Sequence, residues 1–153
     1  AATANFKEYK DHDKRLFIQC ASIFKAINSE WNYINDPVSR EYYEKASASA
    51  ELLSGDCDDY SILMAASLLS IGATPRIIRT KTHMYPELLI GNEEDLEAIN
   101  YLIKKELFPY ESSGKSVHFH KEKNEIWLNM DYSGIYPGAE FLSDEIIGVL
   151  YFN

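Results

Sequence analysis

The sequence predicts an α+β domain in which N-terminal helices pack on a mainly antiparallel sheet. Apolar residues recur at helical spacing up to about residue 70, and short runs of strand type follow from residue 76. Helices followed by strands, rather than alternating with them, are typical of this class. The 153 residues contain no internal repeat and no linker, so we expect one domain over residues 1–153.

Three helices are predicted before the first strand. The first covers residues 14–35 and ends before Pro37, and a less regular second helix covers residues 38–53. A third covers about residues 57–70 and ends at Gly72; it is apolar nearly all round, which is typical of a central, buried helix. The apolar stripe of the first helix consists of Leu16, Phe17, Cys20, Ile23, Phe24, Ile27, Trp31 and Ile34.

Five strands and one helical insert are predicted in the second half of the chain. Pro86 lies inside the second strand and removes a ladder hydrogen bond, so we expect that strand to be an edge or to carry a bulge. The final apolar run is predicted to be a buried strand. The strands cover residues 76–80, 83–90, 116–120, 125–131 and 146–152, the helical insert covers 93–106, and turns fall at 121–124 and 136–138.

The charge balance excludes some classes of partner. The chain carries 24 acidic and 15 basic residues, which gives a net charge of -9. Nucleic acids and anionic membranes both attract basic surfaces, so we expect neither as a partner. No segment reaches the roughly 18 apolar residues that a membrane span needs. Nothing in the sequence indicates an oligomeric state.

The stretch at residues 54–60 (SGDCDDY) places a thiol in the first turn of the third helix. Free backbone N–H groups there carry about half a positive charge, which stabilises a thiolate nucleophile and can bind an oxyanion. The neighbouring Asp56, Asp58 and Asp59 oppose thiolate formation, or they cap the helix instead. The alternative interpretation is that Cys57 is a small buried hydrophobe, as most free cysteines are.

A histidine and an aspartate on two predicted strands can complete a triad with Cys57. His83 begins one strand, with Tyr85 and Glu87 on the same face, and Asp131 ends another. Neighbouring strands bring such side chains together, so His83 can act as the base and Asp131 can hold the imidazole tautomer. Taken singly, a histidine on a strand is more often a core residue, and an aspartate at a strand end is more often a turn former.

Four stretches resemble the bacterial transglutaminase-like superfamily and occur in the same order. LLSGDCDDYSIL at 52–63 resembles the family's catalytic helix, and SIGATPR at 70–76 resembles the turn and strand that follow it. HMYPE at 83–87 resembles the strand with the family's histidine, and WLNMD at 127–131 resembles the strand that carries its acid.

The resemblance implies a papain-like fold and acyl transfer through a thioester. It implies Cys57 as the nucleophile, His83 as the base and Asp131 as the orienting acid. Hydrolysis of an amide, as by a cysteine peptidase, is expected more than transamidation, and the expected partner is a protein or peptide substrate. Similar stand-alone domains are tethered outside the cytoplasmic membrane, so we expect an extracytoplasmic location, with a leader removed.

The sequence also departs from the family pattern. Tyr85 stands where tryptophan is common, and an insert over 91–115, expected to contribute to the cleft, separates the second and third motifs. No motif marks the side chain that would bind the oxyanion. Candidates for that role or for lining the cleft are Trp31, Asn32, Tyr33 and Tyr85, with Tyr132 and Tyr136 as further cleft candidates.

Two alternatives compete with the enzyme interpretation. One is a non-catalytic peptide- or glycan-binding domain on the same fold. The other is a metal site, either zinc on His83, His118 and His120 or calcium on the three aspartates at the helix start. We expect no cofactor, with calcium as the exception to test.

Overall fold

The computed structural model describes residues 12–34, 53–142 and 145–152. The helix predicted over 38–53 lies outside these residues, except for its last position. The helices are α1 (Arg15–Glu30), α2 (Cys57–Ser70) and α3 (Glu93–Tyr101), the last continuing as a π-helix over Leu102–Leu107. The strands are β1 (Asn32–Tyr33), β2 (Ser54–Gly55), β3 (Pro75–Arg79), β4 (Met84–Gly91), β5 (Phe119–Glu122), β6 (Glu125–Asn129) and β7 (Gly148–Tyr151).

Five of the strands form one antiparallel sheet in the order β5-β6-β4-β3-β7. The predicted class, helices on a mainly antiparallel sheet, is therefore confirmed. The two remaining strands form a separate parallel pair, with Asn32 opposite Ser54 and Tyr33 opposite Gly55. This short pair matters for the site, because it brings the end of α1 beside the residues that precede α2.

The helix α2 contacts α1 as well as β3 and β4, and it supplies much of the core. Its nearly uniform apolar sequence predicted a central helix, and Tyr60, Leu63, Met64 and Leu68 are indeed buried. The sheet adds its even-numbered side chains, such as Leu88 and Leu128, to the same cluster. Strand side chains alternate, so Tyr85 and Glu87 point to the opposite face of the sheet. From α1 the core takes Phe17, Ile18, Cys20, Ala21, Phe24 and Ile27.

The strand containing Pro86 was predicted to be an edge or to carry a bulge. The edge is wrong, because β4 is central in the sheet and pairs with both β3 and β6, whereas an irregularity of the bulge type is present. Its irregularity lies between Leu89 and Gly91, not at the proline. The carbonyl of Pro86 accepts the N–H of Met130, beyond the end of β6 at Asn129. The N–H and C=O of one residue in an antiparallel strand point towards the same neighbouring strand. The N–H that Pro86 lacks would therefore point towards β6, at a level where the β4–β6 ladder has already ended.

Two other strand predictions are corrected. The terminal strand β7 is an exposed edge and not a buried strand, since Leu150 is 56% and Tyr151 48% exposed. The strand predicted at 116–120 begins only at Phe119, because the N–H of His118 donates instead to the carbonyl of Gly138 at 2.6 Å. The charged residues after it remain in the strand as far as Glu122.

None of the helices in the described ranges combines the length and apolarity that crossing a bilayer requires.

Candidate active site

A reciprocal cap fixes the start of α2 and with it the position of Cys57, the first helical residue. Asp56 is the N-cap, and its Oδ1 accepts the N–H groups of Asp58 at 3.0 Å and Asp59 at 3.2 Å. Asp59 returns the bond, accepting the N–H of Asp56 at 3.0 Å. Gly55 makes the approach possible, because it has φ +145 and a Cβ there would lie 2.5 Å from the side chain of Asp59. Two of the three aspartates therefore serve the helix start.

The Cys57 sulfur is half-buried between acidic groups and a backbone amide. Burial is the main cause that raises the pKa of the Cys57 thiol to about 12; the backbone N–H of Met84 lowers it, and the charges of Asp58 and Asp56 raise it further. Sγ lies 3.5 Å from Oδ1 of Asp58. A thiol with its pKa raised this far is predominantly neutral at pH 7. Burial and the neighbouring carboxylates therefore favour a neutral thiol as the resting group.

His83 and Asp131, which the sequence analysis paired, are in direct contact. Nε2 of His83 lies 2.6 Å from Oδ2 of Asp131, and both side chains are largely buried. The carboxylate also accepts the N–H of Tyr132 at 2.7 Å and the hydroxyl of Ser133 at 3.1 Å. Its backbone N–H donates to Oδ1 of Asn129 at 3.1 Å. The acid is therefore held on several sides, and it fixes the orientation of the ring.

The hairpin between β3 and β4 holds the backbone of His83. The N–H of His83 donates to Oγ1 of Thr80 at 3.0 Å, and the N–H of Thr80 donates to the carbonyl of His83 at 2.8 Å. Because Asp131 accepts from Nε2, the ring tautomer leaves Nδ1 as the basic nitrogen. Within the described residues, Nδ1 has no hydrogen-bond partner. It is the ring nitrogen that can accept a proton.

Cys57 and His83 line one cavity of about 360 Å³. Met84, the residue after His83, lines the same cavity, and its backbone lowers the pKa of the Cys57 thiol. Ser61, one turn after Cys57, lies 2.7 Å from the Cys57 carbonyl and 3.2 Å from the Met84 carbonyl. Sequence reasoning missed both contacts. The spacing of Ser61 from Cys57, four residues on a helix, is the only sequence signal that could have shown one of them.

The structure separates the predicted oxyanion and cleft candidates. Tyr33 lines the cavity and stacks on Tyr132 with ring centroids 5.0 Å apart, and Tyr132 in turn meets the ring of His83 edge-on at 6.2 Å. Asn32 pairs through its backbone with Ser54. The ring of Trp31 packs edge-on against Tyr60 at 5.4 Å.

Three tyrosine candidates do not line this cavity: Tyr85, Tyr136 and Tyr132, of which Tyr132 contacts the lining residues Tyr33 and His83. Tyr85 is 1% exposed, lying against the His83 ring at 5.8 Å and against Phe141 at 5.7 Å. The expectation that Tyr85 belongs to the cleft is therefore corrected: it supports the histidine from behind. Tyr136 is also buried, and its hydroxyl donates to the carbonyl of Ser116 at 2.8 Å.

The metal alternatives find little support in the side-chain positions. His120 bonds through Nδ1 to Glu87 at 2.6 Å, and Nδ1 of His118 lies 3.3 Å from the Gly138 carbonyl, while His83 bonds Asp131. Across the described residues no group of three or more histidine, cysteine, aspartate or glutamate side chains converges as a metal site. Of the carboxylates at the start of α2, those of Asp56 and Asp59 cap the helix and that of Asp58 lies beside the Cys57 sulfur.

Of the comparisons with known proteins, only the one with solved structures finds matches, and these show the fold. No protein-family model matches the chain, and no curated protein matches it. Among solved structures, EGTA-treated LapG of Legionella pneumophila is similar with a TM-score of 0.50 and 16% identity over 97% of this chain and 72% of that one. The chain has a papain-like, transglutaminase-like fold. Two further LapG structures match more distantly: one with a TM-score of 0.43, 17% identity and 95% and 62% coverage, and the calcium-bound form with 0.39, 14%, 95% and 83%.

Proposed function

We propose that this chain is a cysteine-dependent acyl-transfer enzyme that hydrolyses an amide bond of a protein or peptide through a thioester. The observation that carries the proposal is the contact of 2.6 Å between His83 and Asp131, next to a cavity that His83 shares with Cys57. The LapG-like fold supports it at a coarse level only.

The raised pKa of Cys57 makes base catalysis necessary. Since the resting thiol is neutral, Nδ1 of His83 takes the S–H proton while sulfur bonds to the carbonyl carbon of the substrate. The product of this step is a tetrahedral oxyanion beside an imidazolium. Asp131 stabilises the imidazolium through Nε2–H, which is the usual role of the acid in such a triad.

The first turn of α2 offers one amide for the oxyanion. The N–H groups of Asp58 and Asp59 donate to the Asp56 side chain, and that of Tyr60 donates to the Asp56 carbonyl. The backbone N–H of Cys57 itself has no acceptor among the described residues, and it lies at the positive end of the helix. We assign it as the oxyanion donor, a narrower assignment than the whole first turn.

The second half of the reaction returns the enzyme to its starting state. The C–N bond breaks as the imidazolium gives its proton to the leaving amine, and a thioester with Cys57 remains. His83 then removes a proton from water, the hydroxyl attacks the thioester carbonyl, and the C–S bond breaks. The thiolate regains the proton from His83 and the carboxylic acid product leaves. An amine in place of water would give transamidation. An extracytoplasmic location stays a prediction of the family resemblance.

Alkylation kinetics test the proposal without a known substrate. The protein is treated with iodoacetamide, and modification of each cysteine is followed by peptide mass spectrometry. Cys20 is an internal control, because it is 1% exposed and burial raises its pKa to about 12 as well. We expect Cys57 to react faster than Cys20, and His83→Ala to slow Cys57 by at least about 10²-fold.

A peptide assay supplies the second measurement. Incubation with a degenerate peptide library should release new termini with the native protein and with Cys20→Ala, but not with Cys57→Ala. Equal alkylation of the two cysteines, or a His83→Ala protein as reactive as the native one, contradicts the enzyme proposal and favours the non-catalytic binding domain.

A further inference from the structure

The cavity at Cys57 has walls of opposite charge. Asp56 and Asp58 lie on the side of the thiol, and Arg79 and Lys81 lie on the side of the β3–β4 hairpin. The chain has 24 acidic and 15 basic residues, and two of the basic residues line this cavity. The charge division gives a bound substrate a preferred direction, with its negative group towards the hairpin.

Arg79 is exposed and, unlike its neighbours Arg76 and Lys81, has no counterion within the described residues. Arg76, two positions earlier, bonds Glu87 at 2.7 Å and Glu122 at 2.6 Å. Lys81 lies 3.5 Å from Glu145, in a pair that is mostly exposed. The Arg79 guanidinium forms no ion pair or hydrogen bond with any of the described residues. The residue opposite Arg79 on β7 is Gly148, which has no side chain to cover the arginine.

We propose that Arg79 binds a carboxylate of the substrate, so that this chain acts on acidic peptides. The claim that the chain acts on acidic peptides rests on the proposed function, whereas the binding of a carboxylate by Arg79 does not. A planar guanidinium binds a carboxylate through two parallel hydrogen bonds, which gives both affinity and orientation. The carboxylate comes either from an Asp or Glu side chain or from a free C-terminus, because both present the same group.

The position of Arg79 sets how far the carboxylate lies from the bond that is cleaved. Arg79 is directly opposite Met84 in the β3–β4 ladder, and paired Cα atoms of antiparallel strands are about 5 Å apart. Met84 and Cys57 line the same cavity as Arg79. An extended peptide advances about 3.3 Å per residue, so the acidic group lies about one to three residues from the scissile bond.

The overall charge of the protein opposes acidic ligands, but only at long range. The net charge of -9 repels an approaching anion, and salt at 0.15 M screens that repulsion beyond about 8 Å. Inside the cavity the hairpin wall carries the positive charges of Arg79 and Lys81. A basic peptide in the same place would meet two like charges. The local arrangement therefore decides the preference.

Binding to the Cys57→Ala protein tests the proposal without any catalysis. The probes are fluorescent peptides of alanine and glycine, capped at both ends, in which one Glu, Gln or Lys is moved through each position. A second set has a free C-terminal carboxylate and no acidic side chain. Fluorescence anisotropy gives Kd for each peptide, and the two sets distinguish the two sources of the carboxylate.

We expect at least one Glu position, or the free C-terminus, to bind about tenfold more tightly than its Gln or amide counterpart. Arg79→Gln should abolish this difference, Arg79→Lys should keep part of it, and Arg79→Glu should reverse it in favour of the Lys peptide. Lys105→Gln is the matched control, since it removes one positive charge from an exposed site outside the cavity and should leave the preference unchanged.

The two proposals can fail separately. Equal Kd values for Glu, Gln and Lys peptides, or a preference that survives Arg79→Gln, overturn the role of Arg79. If the preference for a carboxylate depends on Arg79 but the alkylation of Cys57 does not depend on His83, the acidic-peptide site stands and the enzyme proposal falls.

Discussion

Replacing Asp131 by asparagine changes which nitrogen of His83 carries the proton. In the native site Oδ1 of Asp131 accepts the N–H of Tyr132 at 2.7 Å, and Oδ2 lies 2.6 Å from Nε2 of His83. In the variant the amide oxygen stays on the Tyr132 N–H, so the NH₂ group faces Nε2. An NH₂ group only donates, so Nε2 must become the acceptor and the proton moves to Nδ1. The nitrogen that should take the proton of Cys57 is then blocked.

The expected loss follows from the resting state of the thiol. With a pKa of about 12, the Cys57 thiol depends on a base to react near neutral pH. A positioned general base contributes about 10²–10⁴ in rate, which at about 1.4 kcal/mol per tenfold is about 3–6 kcal/mol. We therefore expect Asp131→Asn to slow alkylation of Cys57 at pH 7 by about 10²–10⁴. The difference should shrink as the pH rises, because in both proteins the small thiolate fraction grows about tenfold per pH unit and the thiolate reacts without a base.

The assay is the rate of iodoacetamide modification of Cys57, measured by mass spectrometry from pH 6 to 10, with urea unfolding as the check on folding. Ser133→Ala is the matched control, because it removes another hydrogen bond to the same carboxylate oxygen, at 3.1 Å, without changing the tautomer. It should alter the rate only a fewfold. An Asp131→Asn protein that is folded and alkylates Cys57 at the native rate at pH 7 would refute the tautomer reasoning.

Two further predictions concern the framework of the site. Gly55→Ala should lower the free energy of unfolding, measured by urea titration, by about 1–3 kcal/mol and should slow alkylation of Cys57, since the new Cβ collides with the α2 cap. Gly72 also has a positive φ, +88, but open space around it. Gly72→Ala should therefore lower the free energy of unfolding by less and leave the alkylation rate unchanged. Glu87→Ala should cost about 3 kcal/mol in the same titration, because it leaves the buried Arg76 with fewer counterions, whereas Glu93→Ala, in an exposed ion pair, should cost less than about 1 kcal/mol. Equal losses within either pair would contradict the corresponding reasoning.

Local signals made α2 the most predictable element of the chain. Asp56 and Asp59 form a capping box around the start, Gly72 follows the end, and the predicted bounds of about 57–70 are those of the helix, Cys57–Ser70. These signals lie within a few residues of the feature that they specify. The strand period also places Tyr85 and Glu87 on one face of β4, and the His83 ring stacks on Tyr85 although the strand begins only at Met84.

Predictions that depended on what covers a surface did not succeed. The apolar composition of β7 suggested burial, yet it is a sheet edge, because its neighbour in space is set by strand order and not by its own residues. Tyr85 was expected in the cleft, but Phe141, 56 positions later, packs against it. Pro86 lies in a central strand because the neighbouring ladder ends just short of it. Each case turns on a contact between residues distant in sequence.

The acidic cap of α2 has opposite effects on folding and on chemistry. The carboxylates of Asp56 and Asp59 satisfy helix N–H groups, and a cap of this kind stabilises a helix by about 1 kcal/mol. The charges of Asp56 and Asp58 also help to raise the pKa of the thiol beside them. If the thiol ionised without a base, the only role left for His83 in activating it would be to stabilise the thiolate. A thiol with a pKa of about 12 needs it to remove a proton, so the proposed activity depends on the orientation that Asp131 imposes on the imidazole.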